Sequence, residues 1–173
     1  MLITPTLLRQ MLPYSGDRSV ALFSDPLAQA LVQYGISTPR RIAAFIGNVA
    51  IETESLHLMK ELANGAAYQG RMGNVDPGDG EKFVGRGLLQ ITGRANYTAC
   101  GKALSLDLQS HPEWLEEPKW ACLSGAWFWT THGCNPLADD DKFGSVVRVI
   151  NGGFTDLDQR IQCWLTARRA LGL

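Results

Sequence analysis

The chain has 173 residues, of which 45% are hydrophobic and 19% are charged. These proportions predict one soluble, globular domain with a sizeable core, and they exclude a largely disordered protein. The formal net charge of −1 argues against a general nucleic-acid-binding protein. No apolar stretch approaches the roughly 20 residues that a membrane-spanning helix needs, so we expect no membrane insertion.

The cysteines and histidines do not have the spacing of a metal site. Cys100, Cys122, Cys134 and Cys163 lie far apart and form no C-x-x-C pattern. This spacing predicts buried thiols rather than a zinc site or a disulfide framework. The three histidines are isolated, and we expect neither a metal nor a cofactor. The N-terminus has no basic segment leading into a long apolar run, so we expect no signal peptide.

Residue pairs that favour a helix start predict the first three helices. Thr4-Pro5, Asp25-Pro26 and Thr38-Pro39 each place a capping side chain before a proline at the first helical position. Apolar residues at helical spacing follow each pair. We expect the second helix to stop shortly after residue 34 and the third to run to about residue 52.

Three further helices are predicted in the second half of the chain. Apolar residues at helical spacing predict helices over residues 118–131 and 142–150. Thr155 and Asp158 have the spacing of a capping box, which predicts a last helix through residue 171. Between the two halves, residues 64–81 carry five glycines and one proline, a composition that predicts a functional loop, mobile without ligand. The chain is therefore predicted to be mainly α-helical.

The most informative segment is residues 83–97, which read FVGRGLLQITGRANY. Gln90, Thr92 and Asn96 offer neutral hydrogen-bonding groups, and Tyr97 adds an aromatic ring. These side chains suit a ligand made of hydroxyl and amide groups. Because carboxylates lie nearby in the chain, the combination predicts binding and hydrolysis of a sugar polymer.

Glu52, Glu54 and Glu61 are the candidate carboxylates. Hydrolysis of a glycosidic bond needs one carboxylic acid to protonate the leaving oxygen, and a second carboxylate to activate water or attack the sugar. Glu52 continues the apolar stripe of its helix, whereas Glu54 points about 200° away. On one straight helix Glu52 and Glu61 would stand about 13 Å apart, so catalysis requires a bend over residues 55–60. Alternatively, all three glutamates lie on a solvated helix face.

Together these motifs resemble glycoside hydrolase family 19, which includes plant-type chitinases and many bacteriophage endolysins. The resemblance rests on residues 45–54, 60–62, 85–97, 149–153 and 158–161, which follow one another in the family's order. It implies a mainly α, lysozyme-like helical domain in which a large and a small lobe flank a substrate cleft. We expect residues 1–173 to form this single catalytic domain, because no linker or repeat marks a separate wall-binding module.

The resemblance also implies roles for individual residues. Glu52 matches the general acid, and Glu61 matches the second carboxylate, which activates water in an inverting reaction. Thr92 matches a hydroxyl residue that helps to hold this water. The remaining matches bind the sugar, line the cleft or orient the acid: Gln90, Asn96, Asn151 and Arg160.

The chain departs from the family's pattern around the acid. The family usually has histidine before the acid and small residues, often including glycine, after it. Here Ile51 replaces the histidine, and Glu54-Ser55 replaces the small residues. We expect Glu54 to be exposed, and an exchange of roles between Glu54 and Glu61 stays open. Tyr68, in the irregular loop, is a further candidate for stacking on a sugar.

The activity expected from the sequence is that of a muramidase. It would hydrolyse the β-1,4 bond between N-acetylmuramic acid and N-acetylglucosamine, with peptidoglycan glycan strands as its partner and a monomer as the active form. The wording of residues 88–97 resembles the endolysin branch, which implies a phage protein made in the host cytoplasm and released to the cell wall through a holin. A chitinase of the same family and a non-catalytic glycan-binding domain are the alternatives.

Overall fold

The computed structural model describes residues 3–173, and it is mainly helical as predicted. In this range the α-helices are α1 (Pro5–Met11), α2 (Asp17–Gln33), α3 (Pro39–Glu52), α4 (Asp79–Lys82), α5 (Arg94–Leu104), α6 (Pro118–Thr131), α7 (Cys134–Asp139), α8 (Phe143–Asn151) and α9 (Leu157–Ala170). Short 3-10 helices cover Ala66–Tyr68 and Pro112–Glu116. Across residues 3–173, no helix has both the length and the apolar character of a membrane span.

A large lobe is built around α3. Seven helices, all except α4 and α5, contribute buried or half-buried side chains to its core. Residues 42–50 of α3 are buried, and α3 packs most extensively against α9. Gly47 allows this close approach, since a Cβ atom there would lie 2.8 Å from the Cα atom of Trp164. The packing fixes the C-terminal end of α3 relative to α9.

A smaller lobe surrounds Tyr97 of α5, with its own cluster of buried side chains. The Tyr97 hydroxyl donates to the Val84 carbonyl over 2.6 Å and accepts from Arg86 over 2.9 Å. Burial, the largest cause, raises the pKa of Tyr97, so the phenol keeps its proton. Arg86 also donates to Glu116 over 2.8 Å. The two clusters correspond to the large and small lobes expected from the sequence.

Two of the three predicted helix starts are confirmed, and one is wrong. Thr4 caps α1 by accepting from the Leu7 amide, and Thr38 caps α3 by accepting from the Arg41 amide. Pro26, however, lies inside α2. The buried stripe of α2 continues on both sides of this proline. Its burial therefore outweighs the roughly 3 kcal/mol that an internal proline costs a helix.

The predicted capping box before α9 is wrong. α9 starts at Leu157 and is preceded by Asp156, which has a φ angle of 57° and forms no side-chain cap. This left-handed residue displaces Thr155 from the capping position. The Thr155 carbonyl instead accepts from Nε of Arg160 over 3.1 Å. The start of α9 is consequently tied to an arginine side chain rather than to a capping hydroxyl.

Residues 64–81 are largely irregular, as predicted, but side-chain hydrogen bonds tie them together. The buried Asn74 donates to the Tyr68 carbonyl over 3.0 Å and accepts from the Arg94 amide over 2.7 Å. Asp79 is buried and pairs with the Arg94 guanidinium, whose Nε lies 2.7 Å away. Mobility of this loop without ligand stays a prediction.

The four cysteines are free thiols. Cys100, Cys122 and Cys134 are buried as predicted, and burial raises the pKa of Cys100 and of Cys134 to about 12. Cys163, on α9, is only half-buried. The thiols therefore contribute to packing in both lobes.

Candidate active site

The chain changes direction directly after Glu52, the last residue of α3. Glu54, Ser55 and Leu56 have φ angles of 47°, 58° and 69°. Non-glycine residues rarely adopt this left-handed backbone, which costs about 1 kcal/mol per residue. The Thr53 hydroxyl holds the turn by accepting from the Leu56 amide over 2.8 Å. The bend that the sequence required before Glu61 is present, and it begins at residue 54.

Backbone hydrogen bonds place Glu61 beside residues 85–91. The Glu61 amide donates to the Gly85 carbonyl over 3.0 Å. Lys60 forms an antiparallel bridge with Arg86, which forms a second bridge with Ile91. Residues 86–91 therefore fold as a tight hairpin, and the segment bearing Glu61 lies along one side of it.

These elements meet around a cavity of about 450 Å³. It is lined by seven of the eight side chains that the sequence predicted for the site: Glu52, Glu61, Tyr68, Gln90, Thr92, Asn151 and Arg160. Glu52 comes from the end of α3, Asn151 from the end of α8 and Arg160 from α9. Residues that are up to 108 positions apart in the chain are thus brought together.

The structure does not bring Asn96 into this cavity. Asn96 is exposed on the first turn of α5, and its side-chain amide donates to the Thr92 carbonyl over 2.8 Å. Helical side chains point back toward the N-terminus of their helix, and this direction favours the bond. Asn96 supports the backbone of Thr92 rather than lining the cavity.

Arg160 fixes the orientation of Glu52. Its guanidinium is buried and donates to Oε1 of Glu52 over 2.6 Å, to Oδ1 of Asn48 over 3.1 Å and to the Thr155 carbonyl over 3.1 Å. The Glu52 side chain keeps 16% of its surface exposed. Because Oε1 is held by the guanidinium, Oε2 is the oxygen left to act on a ligand.

Tyr68 orients Glu61 in a similar way. Its hydroxyl donates to Oε2 of Glu61 over 3.0 Å. Burial, followed by this hydrogen bond, raises the pKa of Tyr68, so the phenol remains a donor. Among residues 3–173, Oε1 of Glu61 is the one buried side-chain oxygen or nitrogen without a hydrogen-bond partner. Tyr68 lines the cavity, but its hydroxyl is engaged by Glu61 instead of being left to a sugar.

Gly85 lies where three polar side chains of the cavity converge. A Cβ atom at this position would lie 2.6 Å from Oε1 of Gln90, 3.1 Å from Oγ1 of Thr92 and 3.2 Å from Oε2 of Glu61. The first separation is shorter than any ordinary contact of a Cβ atom. The absence of a side chain at residue 85 therefore allows the three groups to approach one another.

Sequence analysis missed two charged residues that line the cavity, Lys60 and Asp156. It also missed the four apolar residues Ile51, Leu58, Leu89 and Ile150. No motif marks Asp156, whose place in the cavity depends on the left-handed backbone before α9. Glu54, by contrast, is exposed and is not among the lining residues, so the cavity contains Glu61 and not Glu54.

The cleft continues past Glu61. Lys60 and Glu61 also border a neighbouring groove of about 650 Å³, together with Leu62, Asn64 and Glu81. Leu62 is 84% exposed there. Two adjoining cavities that share Glu61 can accommodate a chain of several sugar units.

The site has the groups needed for one class of reaction. Two carboxylates that face one cavity can act as the acid and the base of glycosidic bond hydrolysis. Amide and hydroxyl side chains beside them can bind sugar hydroxyls and acetamido groups. Within the described range 3–173, no group of three or more His, Cys, Asp and Glu side chains is placed to hold a metal ion.

Relatives of known family share much of the sequence. A protein of Haemophilus influenzae described as a glycosyl hydrolase family 19 domain-containing protein is 37% identical over 107 residues, which cover 60% of this chain and 51% of the relative. An endochitinase of Arabidopsis thaliana is 32% identical over 154 residues, which cover 84% of this chain and 53% of the relative. The chain spans about half the length of the curated relatives it matches.

Solved structures show the same fold. Chitinase C from Streptomyces griseus superposes with a TM-score of 0.79 at 26% identity, covering 99% of this chain and 77% of that chain. A bacterial family 19 chitinase gives a TM-score of 0.82 at 25% identity, covering 100% of this chain and 96% of that chain. The family model described as chitinase class I matches residues 35–148, and the chain therefore belongs to glycoside hydrolase family 19.

Proposed function

We propose that this chain is a chitinase-type glycoside hydrolase that cleaves the β-1,4 bonds of chitin and its oligomers. The observation that carries the proposal is that Glu52 and Glu61 face one cavity in a chain of family 19. The Arabidopsis thaliana relative is named an endochitinase, and the two solved structures described above are named chitinases. For this reason the proposal favours chitin over the peptidoglycan that the sequence suggested.

In the proposed reaction Glu52 is the general acid. Its proton goes to the glycosidic oxygen as the bond between that oxygen and the anomeric carbon breaks. Arg160 holds Oε1 of Glu52, so that Oε2 carries the proton to the leaving group. The fixed orientation matters because a catalytic acid must lie within hydrogen-bond reach of the atom it protonates.

Glu61 is the general base in this proposal. A water molecule attacks the anomeric carbon from the opposite face and gives a proton to the carboxylate of Glu61, whose Oε1 has no hydrogen-bond partner. Tyr68 holds the other oxygen, and Thr92 is the hydroxyl that helps to position the water. The product has the inverted configuration at the anomeric carbon, as the two-carboxylate mechanism with an intervening water requires.

The remaining side chains bind the sugar. Gln90 and Asn151 present amides that can donate and accept at hydroxyl and N-acetyl groups. The groove beyond Glu61, with the exposed Leu62, extends the binding surface for a polymer. The amides of Gln90 and Asn151 suit a substrate rich in hydroxyl and N-acetyl groups.

The test is mass analysis of digests made with the purified protein. Incubation with the chitin hexamer is expected to give shorter N-acetylglucosamine oligomers with ordinary reducing ends, and NMR of fresh product should show the inverted anomer. Binding to the hexamer without cleavage would overturn the proposal in favour of a glycan-binding domain. Anhydro-sugar ends would overturn the hydrolytic mechanism.

Peptidoglycan is the second candidate substrate. Its glycan strands have the same β-1,4-linked backbone of N-acetylated sugars, and the wording of residues 88–97, which resembles endolysins, favours it. Release through a holin belongs to this candidate alone. Muropeptides from purified peptidoglycan, with no oligomers from the chitin hexamer, would favour the muramidase and exclude the chitinase.

Replacement of Arg160 by lysine tests whether the guanidinium orients Glu52, the proposed acid. Arg160→Lys is expected to lower kcat on chitin oligomers about ten-fold and to destabilise the fold by about 1–3 kcal/mol, because one ammonium group cannot reach three acceptors. Arg169→Lys is the matched control, since Arg169 is exposed on the same helix. Unchanged kcat and Tm in Arg160→Lys would show that the guanidinium does not position Glu52.

A further inference from the structure

We propose that Asp156 determines substrate specificity, by selecting uncharged N-acetylglucosamine chains over glycans whose sugars carry a carboxylate, such as the lactyl group of N-acetylmuramic acid. This inference rests on the proposed function, because it concerns which sugar polymer occupies the same cavity. It concerns a residue that lines the cavity without belonging to the acid and base machinery.

The backbone of Asp156 points to a role in the cavity rather than in the helix. An aspartate directly before a helix ordinarily accepts a hydrogen bond from the amides of the first turn. Asp156 occupies this position before α9, yet it has a φ angle of 57° and makes no such bond. Within residues 3–173 its carboxylate takes part in no hydrogen bond and no ion pair. It is exposed and lines the cavity.

The other charges of the cavity do not neutralise Asp156. The two cations of the cavity are Lys60 and Arg160. The buried Arg160 guanidinium donates to Glu52, to Asn48 and to the Thr155 carbonyl, and it forms no hydrogen bond or ion pair with the Asp156 carboxylate. Lys60 adjoins Glu61 in the chain and borders the second groove, which also contains a glutamate. Asp156 therefore keeps an unpaired negative charge on its side of the cavity.

This charge affects the two candidate polymers differently. Chitin is uncharged, and its hydroxyl and acetamido N–H groups can donate hydrogen bonds to a carboxylate. In peptidoglycan strands without stem peptides the lactyl group is a free carboxylate, which offers only acceptors when ionised and is repelled by Asp156. Two like charges at the edge of a cleft interact through a partly aqueous medium, so the effect on binding is moderate and falls as salt screens it.

The experiment compares Asp156→Asn with Asp158→Asn. Asp158 is exposed in the first turn of α9 and is not among the lining residues. Each variant hydrolyses the chitin hexamer in the presence of peptidoglycan glycan chains that lack stem peptides but keep the lactyl group. At low ionic strength, Asp156→Asn is expected to lower the inhibition constant of these chains about five-fold. The KM for the chitin hexamer should change less than two-fold, and Asp158→Asn should leave both constants unchanged.

Two results would overturn the inference. The first is an inhibition constant that Asp156→Asn does not change, or that changes equally at low and high salt. The second is a shift of the pH–rate profile without any change in inhibition, because Asp156 would then act through Glu52. Calorimetric titration with the same two glycans, with Glu52→Gln added to each variant to suppress cleavage, makes the comparison without hydrolysis. Failure of the chitinase proposal and failure of charge selection are thereby separate outcomes.

Discussion

Glu52→Gln is expected to lower kcat on chitin oligomers by about 10³-fold, within the range that loss of a general acid produces. The amide has no proton to give to the glycosidic oxygen. It nevertheless has nearly the same shape as the carboxylic acid, and its oxygen can still accept from Arg160, so the turn after α3 should remain folded. The measurements are kcat and KM on the chitin hexamer, with the Tm as a check on the fold.

Glu54→Gln is the matched control for this prediction. It makes the same chemical change two residues away, on a side chain that is exposed and lies outside the cavity. We expect its kcat to stay within about two-fold of the wild type, as is usual for surface substitutions. A large loss in Glu54→Gln together with normal activity in Glu52→Gln would reverse the assignment of the acid.

The helices could be predicted where local sequence decides them. Thr4 and Thr38 cap their helices through hydrogen bonds to residues three positions away, and such contacts can be inferred from spacing alone. Pro26 could not be placed in this way. Its tolerance inside α2 depends on burial against other helices, which is a tertiary effect that overrides local preference.

The active site, too, could be predicted from the sequence only in part. Glu52 and Glu61 were predicted because the motifs around them resemble a family, although only the left-handed turn at residues 54–56 shows how the chain brings them together. The bond between Arg160 and Asn48 joins residues 112 positions apart, and nothing in the local sequence indicates it. Asp156 was missed for a related reason, because the direction of its side chain depends on its positive φ angle.

The left-handed turn contains one of the departures from the family's pattern. The family often has glycine after the acid, and glycine adopts positive φ angles without steric cost. Here Glu54 and Ser55 adopt φ angles of 47° and 58°. The geometry of the turn is thus built from residues that pay a conformational cost, and the hydrogen bond from the Leu56 amide to Thr53 helps to offset it.

Gly85→Ala is expected to lower kcat/KM by about 10²-fold while the protein remains folded. The added methyl group would lie 2.6 Å from Oε1 of Gln90 and 3.2 Å from Oε2 of Glu61. Both atoms are at the ends of flexible side chains, so they can move aside, which limits the cost in stability. Moving Glu61, the base, or Gln90, a sugar-binding side chain, by even about 1 Å reduces catalysis strongly, because the reacting groups must be held in position.

Gly144→Ala separates this local effect from the general consequence of replacing glycine. Gly144 lies in α8, and a Cβ atom there would have no neighbour within 4 Å. Alanine is the better helix former by about 0.5–1 kcal/mol, so the Tm should rise while kcat/KM stays unchanged. If Gly85→Ala kept full activity, Gln90 and Glu61 would not need the space that the missing side chain at residue 85 leaves. The proposed position of the base beside Gly85 would then be wrong. A loss of kcat/KM with little change in Tm is the result that ties the function to the convergence of side chains at Gly85.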